Sequence, residues 1–362
     1  MIKSIAIVGS VAALALIGVL NLNESSLENN SNLLLKVSPE VQSAFNNFVS
    51  RQQRSFLTQE EFKARLAIFR DNYERVQLHN SQKDVSFKLA INKFADWSKQ
   101  ELQQFMPIIE PTDTDQDHTN EDEVDQYLAT DDDDDDLLFA PASVDWRDQG
   151  AVTQVRIQGK QCGACHTFSA AGAVEGAYKI KTGKLIEFSK QQLLDCSGNY
   201  GNQGCKGGYP TNNFKYLQKN KIQTYDSYPY TGAVQKCSYD ASKGIVGVKS
   251  YISLPQDDPT ALMNAVQKQP VSIGVAGVKD VFYLYKGGVL DDAASCGTKI
   301  DHVVLLIGYG TDKATGKDYW LLKNSWGTDW GENGFGRVRR DMTKKGVGMC
   351  GIHKLSSYPI LA

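Results

Sequence analysis

Apolar residues recur at helical spacing from Pro39 to about residue 80, with an interruption near residues 57 and 58. This repeat predicts two amphipathic helices around a break. The recurring positions are Phe45, Phe48, Phe62, Leu66, Phe69, Tyr73 and Val76. Residues 87–94 then have the pattern of a short strand followed by a turn. We therefore expect the chain from residue 39 to the end of this region to be mainly helical.

The second half of the chain changes from a helical to a strand pattern. Phe168, Ala171, Val174 and Tyr178 lie about one turn apart before Gly183, which predicts a helix over residues 165–181. A further helical stretch covers about residues 189–194. From residue 245 to 360, β-branched and aromatic runs predict an antiparallel sheet or barrel. The predicted strands are 247–252, 271–275, 302–309, 319–323 and 334–339.

A strongly acidic segment separates these two parts. Residues 107–136 carry 14 acidic groups and no Lys or Arg, and they end in six consecutive aspartates, so we expect an extended linker. Residues 1–139 have a net charge of -12 and residues 140–362 one of +9, which predicts attraction between them. The lysines of the basic part are scattered, so nucleic acid is not an expected partner. The acidic run lacks the ligand spacing of a calcium loop.

The start of the chain and its cysteines indicate the secretory pathway. Residues 4–20 are uncharged and follow Lys3, which is typical of a signal peptide, with a signal anchor as the alternative. An oxidising compartment would pair six of the seven cysteines and leave one thiol, either reactive or buried and inert. Cys162 and Cys165 have no second ligand pair, so no metal site is expected.

Cys165 lies in the first turn of the predicted helix. The free amides and the positive dipole end of a helix stabilise a thiolate, which would make Cys165 a nucleophile. The runs 302–309 and 319–323 are joined by a polar loop, and antiparallel pairing about residue 313 would place His302 opposite Asn324. An asparagine beside a histidine can fix the tautomer of the imidazole.

These residues resemble the papain-like cysteine peptidases, in particular the cathepsin L-like subfamily. The matching motifs are Cys162-Gly163-Ala164-Cys165, Asp301-His302 and Lys323-Asn324-Ser325-Trp326-Gly327. The resemblance implies an α+β, two-lobed fold, with a helical lobe, an antiparallel β-barrel lobe and an active-site cleft between them. It also implies a cysteine endopeptidase without a cofactor.

The same resemblance implies residue roles. Cys165 would be the nucleophile, His302 the general base and acid, Asn324 the group that orients His302, and Gln158 the oxyanion donor. Trp326 would shield the bond between His302 and Asn324. From sequence alone six cysteines allow 15 pairings; the family pattern implies Cys162 with Cys205, Cys196 with Cys237, and Cys296 with Cys350.

Upstream residues match the inhibitory propeptide of the same subfamily, with valine at one position and alanine at another in place of its usual isoleucine and glycine. The matching residues are Glu61, Arg65, Phe69, Asn72, Val76, Asn80, Asn92, Phe94 and Asp96. The expected division is a signal peptide at 1–20, a propeptide at 21–106, an acidic linker with the maturation site at 107–139, and a peptidase domain at 140–362.

Apolar positions similar to those of the family's main specificity pocket predict a hydrophobic preference at the second residue before the cut. The expected substrate-binding residues are Gly207, Gly208, Pro210, Gly274, Ile300, Asp301, Val303, Trp326 and Leu355. Maturation is expected between Phe139 and Ala140, with Leu138 in the pocket. Acidification is expected to loosen the hold of the linker aspartates on the basic domain.

The expected partners are protein and peptide substrates, the propeptide as an intramolecular inhibitor, and cystatin-type inhibitors. No membrane partner is expected after signal cleavage, and the enzyme is expected to be a monomer. The expected location is a lysosome, an equivalent acidic vacuole or the extracellular space. An endopeptidase is favoured over an exopeptidase, because no occluding-loop-like insertion is present.

Two positions depart from the family pattern. Gln158 precedes Cys165 by seven residues, one more than usual, which leaves Gln161 as the alternative oxyanion donor. His166 replaces an aromatic residue and is expected to point away from the thiol and fill the packing site. A catalytically weak homologue that acts as a binding protein is therefore the rival function, and a lysine-rich nucleic-acid binder is a third class.

Overall fold

The computed structural model describes residues 37–107, 141–343 and 345–362. The expected signal peptide, most of the acidic linker and the residues Leu138, Phe139 and Ala140 lie outside them. The helices are α1 (Pro39–Arg51), α2 (Gln59–Ser81), α3 (Lys99–Phe105), α4 (Cys165–Thr182), α5 (Lys190–Cys196), α6 (Pro210–Leu217), α7 (Pro259–Lys268), α8 (Asp280–Tyr283) and α9 (Ala293–Cys296). The strands are β1 (Phe87–Leu89), β2 (Val144–Asp145), β3 (Val248–Ser253), β4 (Val271–Val275), β5 (Tyr285–Leu290), β6 (His302–Thr311), β7 (Asp318–Lys323), β8 (Phe335–Arg339) and β9 (Ser356–Leu361).

The chain divides into two compact units, at Asp71 and Asn72. In the first unit, α1 and the start of α2 are held together by aromatic side chains. Phe45 is fully buried and lies 5.1 Å from Phe69 and 5.3 Å from Phe62 between ring centroids. Two helices with a break near residue 57 were predicted, and both are present.

The second unit contains a mixed sheet with the hydrogen-bonded order β1-β5-β8-β7-β6-β4-β9-β3, and β2 pairs with β6. The predicted antiparallel sheet is present, with two differences. Its strand order is open among the described residues, and β5 pairs with β8 in parallel. The mixture of helices and sheet is the predicted α+β class.

Helix α4 packs directly on the sheet through small residues. A side chain added at Gly172 would lie 2.8 Å from Leu305, and one at Gly176 would lie 2.5 Å from Pro270. The hydroxyl of Ser169 donates to the backbone oxygen of Val304 over 2.8 Å. This close approach positions the first turn of α4 beside the start of β6.

The described residues include no helix long and apolar enough to cross a membrane. They also contain no group of three or more His, Cys, Asp or Glu side chains suited to a metal ion.

Candidate active site

Cys165 is the first residue of α4, as the helical pattern predicted, and Gly183 ends the helix in the left-handed conformation. Its thiol is free and buried. Burial raises the pKa of the Cys165 thiol to about 11, although backbone N–H groups act in the opposite direction. In this state of the protein the desolvation of the charge outweighs the stabilising effect of the helix terminus, so the thiol of Cys165 is neutral near pH 7.

His302 lies at the start of β6 beside Asn324. Its Nε2 is 2.8 Å from Oδ1 of Asn324, and its ring stacks on Trp326 with centroids 4.5 Å apart. An amide oxygen can only accept, so Nε2 carries the proton and Nδ1 remains a proton acceptor. Nδ1 has no hydrogen-bond partner among the described residues. Burial lowers the pKa of His302 to about 4, so the imidazole is neutral near pH 7.

The pair meets, but the predicted strand register is wrong, by two positions at Leu305 and by three positions at Tyr309. Leu305 pairs with Lys323, and the register shifts between Leu306 and Gly308. Strand β7 ends at Lys323, and the backbone N–H of Asn324 donates instead to the oxygen of Gly334. The side chain of Asn324 reaches His302 diagonally across the end of the hairpin.

Gln158 is fully buried, whereas Gln161 is exposed. The Nε2 group of Gln158 lies 3.1 Å from the backbone oxygen of Cys162 and 3.5 Å from that of Phe105. Its Oε1 accepts a 2.6 Å hydrogen bond from the hydroxyl of Ser325. Ser325 thus fixes which end of the Gln158 amide donates. This role was not predicted from the sequence, although Ser325 directly follows Asn324 in the asparagine motif.

His166 is fully buried and belongs to a polar network. Its Nδ1 lies 3.0 Å from Nδ2 of Asn213, and its Nε2 lies 3.4 Å from the backbone oxygen of Gly204. Asn213 in turn accepts from Asn202 over 3.0 Å. Burial lowers the pKa of His166 to about 4, so the ring is neutral. His166 is buried in the position expected for an aromatic residue. Hydrogen bonds that the sequence did not reveal hold it there.

A cavity beside the thiol contains most of the predicted substrate-binding residues. It is lined by Pro107, Cys165, Gly207, Gly208, Tyr209, Ile300, Asp301, His302, Val303 and Leu355. A side chain at Gly274 would lie 2.7 Å from Ile300, so Gly274 adjoins it. Pro210 and Trp326 are not among the lining residues: Tyr209, the neighbour of Pro210, lines the cavity instead, and Trp326 stacks on His302. Burial raises the pKa of Asp301 to about 6.

The end of α3 leads into this cavity, where Pro107 is one of the lining residues. Phe105 lies 5.9 Å from Trp326 between ring centroids, and Met106 is fully buried. Pro107 lies close to Gly163, where an added side chain would meet it at 2.7 Å. Pro107 and Cys165 line the same cavity, and we therefore attribute the burial of the thiol to residues 105–107.

The predicted propeptide residues of the second unit anchor this segment. The side-chain amide of Asn72 donates to Ala95, and that of Asn92 donates to Tyr283 over 2.7 Å. Phe94 is fully buried 4.9 Å from Trp326. The side chain of Asn80 forms hydrogen bonds with both the backbone N–H and the backbone oxygen of Leu89. Val76 and Asp96 are buried. The remaining predicted residues, Glu61, Arg65 and Phe69, lie on α2 in the first unit.

Three disulfides are present. They join Cys162 to Cys205, Cys196 to Cys237, and Cys296 to Cys350, which are the pairs that the family pattern implies. The first bond links the turn before the thiol to the loop that carries Gly207 and Gly208.

Two family models match the chain. The papain family cysteine protease model matches residues 140–360, and the cathepsin propeptide inhibitor domain model matches residues 45–102. A senescence-specific cysteine protease of Oryza sativa subsp. indica is 39% identical over 86% of this chain and 88% of its own. Cathepsin L1 of Drosophila melanogaster is 37% identical over 89% of this chain and 85% of its own.

Solved structures of precursors have the same fold. The structure of digestive procathepsin L 3 from the larval midgut of Tenebrio molitor superposes with a TM-score of 0.73 at 34% identity, covering 90% of this chain and all of that one. A recombinant stem bromelain precursor superposes with a TM-score of 0.73 at 33% identity, covering 89% of this chain and 99% of that one.

Proposed function

Because the chain belongs to the papain family of cysteine proteases, we propose that it is the zymogen of a cathepsin L-like endopeptidase with Cys165, His302 and Asn324 as its catalytic residues. The observation that carries this proposal is the neutral His302, held by Asn324 over 2.8 Å, in the same cavity as the free thiol of Cys165. Residues 45–102 form its inhibitory propeptide domain.

In this proposal the thiol of Cys165 gives its proton to Nδ1 of His302 once the cleft is open. The thiolate then attacks the carbonyl carbon of the scissile bond, a C–S bond forms, and negative charge moves to the carbonyl oxygen. Gln158 Nε2 and the Cys165 N–H donate to that oxygen. The C–N bond breaks as His302 returns its proton to the leaving amine. Water, deprotonated by His302, then attacks the thioester and releases the thiolate.

The cavity supports a hydrophobic preference at the second residue before the cut. Ile300, Val303 and Leu355 line it, and a charged side chain placed against them would lose hydration without gaining a partner. Asp301 is already bonded to the N–H groups of Gly277 and Val278. Leucine or another branched apolar side chain fits this lining.

Residues 105–107 inhibit by occupying the cleft, and they run against the direction of a substrate. Phe105 lies near Trp326 and Pro107 lies in the specificity cavity. A substrate with its second residue before the cut in that cavity would pass Cys165 towards Trp326. The reversed direction keeps the backbone of the propeptide from presenting a bond that can be cut.

Maturation between Phe139 and Ala140, and release of the linker on acidification, remain proposals about residues outside the described ranges. We also propose a lysosomal, vacuolar or extracellular location, a monomeric state and cystatin-type inhibitors as partners.

One experiment tests the enzyme against the rival of an inactive binding protein. The purified full chain is acidified, its new amino terminus is sequenced, and the product is treated with an epoxysuccinyl thiol inhibitor and with a peptide carrying leucine at the second position before the cut. We expect a terminus near Ala140, one label on Cys165, and cleavage abolished by Cys165→Ala. If the processed chain neither takes the label nor cleaves the peptide, the enzyme proposal is wrong and the inactive binding protein is the function that remains.

A further inference from the structure

Lys93 of the propeptide domain inserts its ammonium group beside Trp326. Its Nζ donates to the backbone oxygen of Trp326 and lies 3.4 Å from Oδ1 of Asp329. The side chain of Lys93 is 13% exposed, and that of Asp329 is 45% exposed. Nζ also lies 5.4 Å from the centre of the Phe94 ring.

The buried ammonium group of Lys93 requires oxygen acceptors at fixed positions. An ammonium group that loses its hydration is retained only where oxygen acceptors replace the water. Burial lowers the pKa of Lys93, and the carboxylate of Asp329 acts in the opposite direction. The carbonyl and the carboxylate both belong to the peptidase part of the chain, so both stay behind when the propeptide leaves.

The position of these acceptors follows from the path of residues 105–107. Trp326 stacks on His302, and Phe105 lies beside it, whereas Pro107 lies in the specificity cavity. The acceptors are therefore on the opposite side of Cys165 from that cavity. The residues of a substrate that follow the scissile bond would pass there.

We propose that the Trp326 carbonyl and the Asp329 carboxylate form a subsite for a basic side chain, lysine above all, carried by the substrate on the carboxyl-terminal side of the cut. The inference rests on the proposed function, since it takes the direction of the substrate from it. In the zymogen, Lys93 occupies the subsite as that substrate lysine would.

Lys160 opposes such binding. It lies in the longer turn between Gln158 and Cys162, it is exposed, and its charge acts on Lys93 to lower the pKa of Lys93. An approaching substrate lysine would meet the same repulsion. Asp329 and Lys160 thus provide two variants with opposite expected effects.

The test uses the acid-activated enzyme and quenched peptides with leucine at the second residue before the cut. Lysine, its uncharged analogue norleucine, or glutamate is placed in turn at the first, second and third residue after the cut, and the cut site is verified by mass. At one of these positions we expect kcat/KM for lysine to exceed that for norleucine about threefold to tenfold at low ionic strength. Raising the salt concentration should reduce the ratio.

Asp329→Asn should bring the lysine-to-norleucine ratio to about one, and Lys160→Gln should increase it. Asp148→Asn, an exposed carboxylate elsewhere in the peptidase part, should leave it unchanged. The ratio is taken on one preparation, so it does not depend on the fraction of folded enzyme. Equal rates for lysine and norleucine at all three positions, or a preference that survives Asp329→Asn, would overturn the subsite. Loss of cleavage of every peptide, norleucine included, would instead overturn the proposed function.

Discussion

Burial decides the protonation of the two titratable groups that the proposed mechanism uses. The sequence placed Cys165 at a helix start, where a thiolate is favoured, but the thiol lies under residues 105–107 and its pKa is raised. The local sequence predicts the helix, and therefore the dipole that acts on Cys165. It does not predict which distant segment of the chain covers the thiol. The place of Cys165 at a helix start and of His302 beside Asn324 could be predicted, and their protonation under residues 105–107 could not.

Ser325→Ala tests how Gln158, the proposed oxyanion donor, is oriented. Without the 2.6 Å bond from Ser325 to Oε1, the amide of Gln158 can turn and present its oxygen to the cleft. We expect kcat to fall about tenfold with little change in KM, because the lost interaction stabilises the transition state. Gln158→Ala should lower kcat further, about a hundredfold. Steady-state kinetics after active-site titration measures both, and a variant that changes KM alone would contradict this role.

His166→Gln tests the buried imidazole. Its pKa in the folded protein is about 4, below its ordinary value of 6.5, so the unfolded chain takes up the proton first as the pH falls. His166 therefore contributes its full stability above pH 6.5 and loses that contribution between pH 6.5 and 4.

In the full chain carrying Cys165→Ser, which cannot cleave itself, the free energy of unfolding should fall less steeply between pH 6.5 and 4 after His166→Gln. Urea midpoints at three pH values in that range measure the slope. An unchanged slope would show that His166 does not titrate there.

At the scale of elements, the strands that carry the site were predicted and three others were missed. One of them, β2, is only two residues long. β5 contains Gly287 and Gly288, and β9 contains Pro359, and such residues weaken a strand pattern. Gly288 has a φ of 89°, and the backbone of Ser86 lies where its side chain would be. These strands form because a distant partner pairs with them. The error in the β6–β7 register arises at the turn: Thr311 pairs with Asp318, so the hairpin is centred between residues 314 and 315 and not at 313, and the bulge near Gly308 only reduces the offset from three positions to two.

Gly176→Ala tests the contact between α4 and the sheet. Alanine normally stabilises a helix relative to glycine by about 1 kcal/mol, but here the new methyl group would lie 2.5 Å from Pro270. We expect the unfolding free energy to fall by about 1–3 kcal/mol. Gly198→Ala is the matched control, because nothing lies within 4 Å of its added side chain. Denaturant unfolding compares them; equal stabilities would mean that the helix can move away without cost.

At the scale of the molecule, the zymogen keeps a neutral thiol beside a neutral imidazole. The thiol pKa is raised to about 11 and that of His302 is lowered to about 4, so no thiolate–imidazolium pair exists at neutral pH. Order along the chain, from propeptide motifs to peptidase motifs, was readable in the sequence. The position of residues 105–107 in the cleft could not be predicted, because these three residues match no motif that indicates it.

Iodoacetamide should therefore alkylate Cys165 slowly in the full chain at pH 7, and the rate should rise with pH up to about 11. After acid activation the rate at pH 7 should increase at least a hundredfold, since the thiolate then forms readily. Mass spectrometry of quenched samples measures the label. The unfolded, unreduced chain should take up one label as a control, and equal rates before and after activation would contradict the masking.

The bond between Cys162 and Cys205 gives this enzyme two opposed redox requirements. The proposed nucleophile, Cys165, works only as a reduced sulfur, whereas the loop that carries Gly207 and Gly208 is held to the turn before Cys165 by a disulfide. Since Cys162 is fully buried and Cys205 is only partly exposed, a mild reductant reaches the opened active site more readily than the bridge. Activity should thus rise and then fall as the potential is lowered, and the interval between these limits defines the environments in which the enzyme can act.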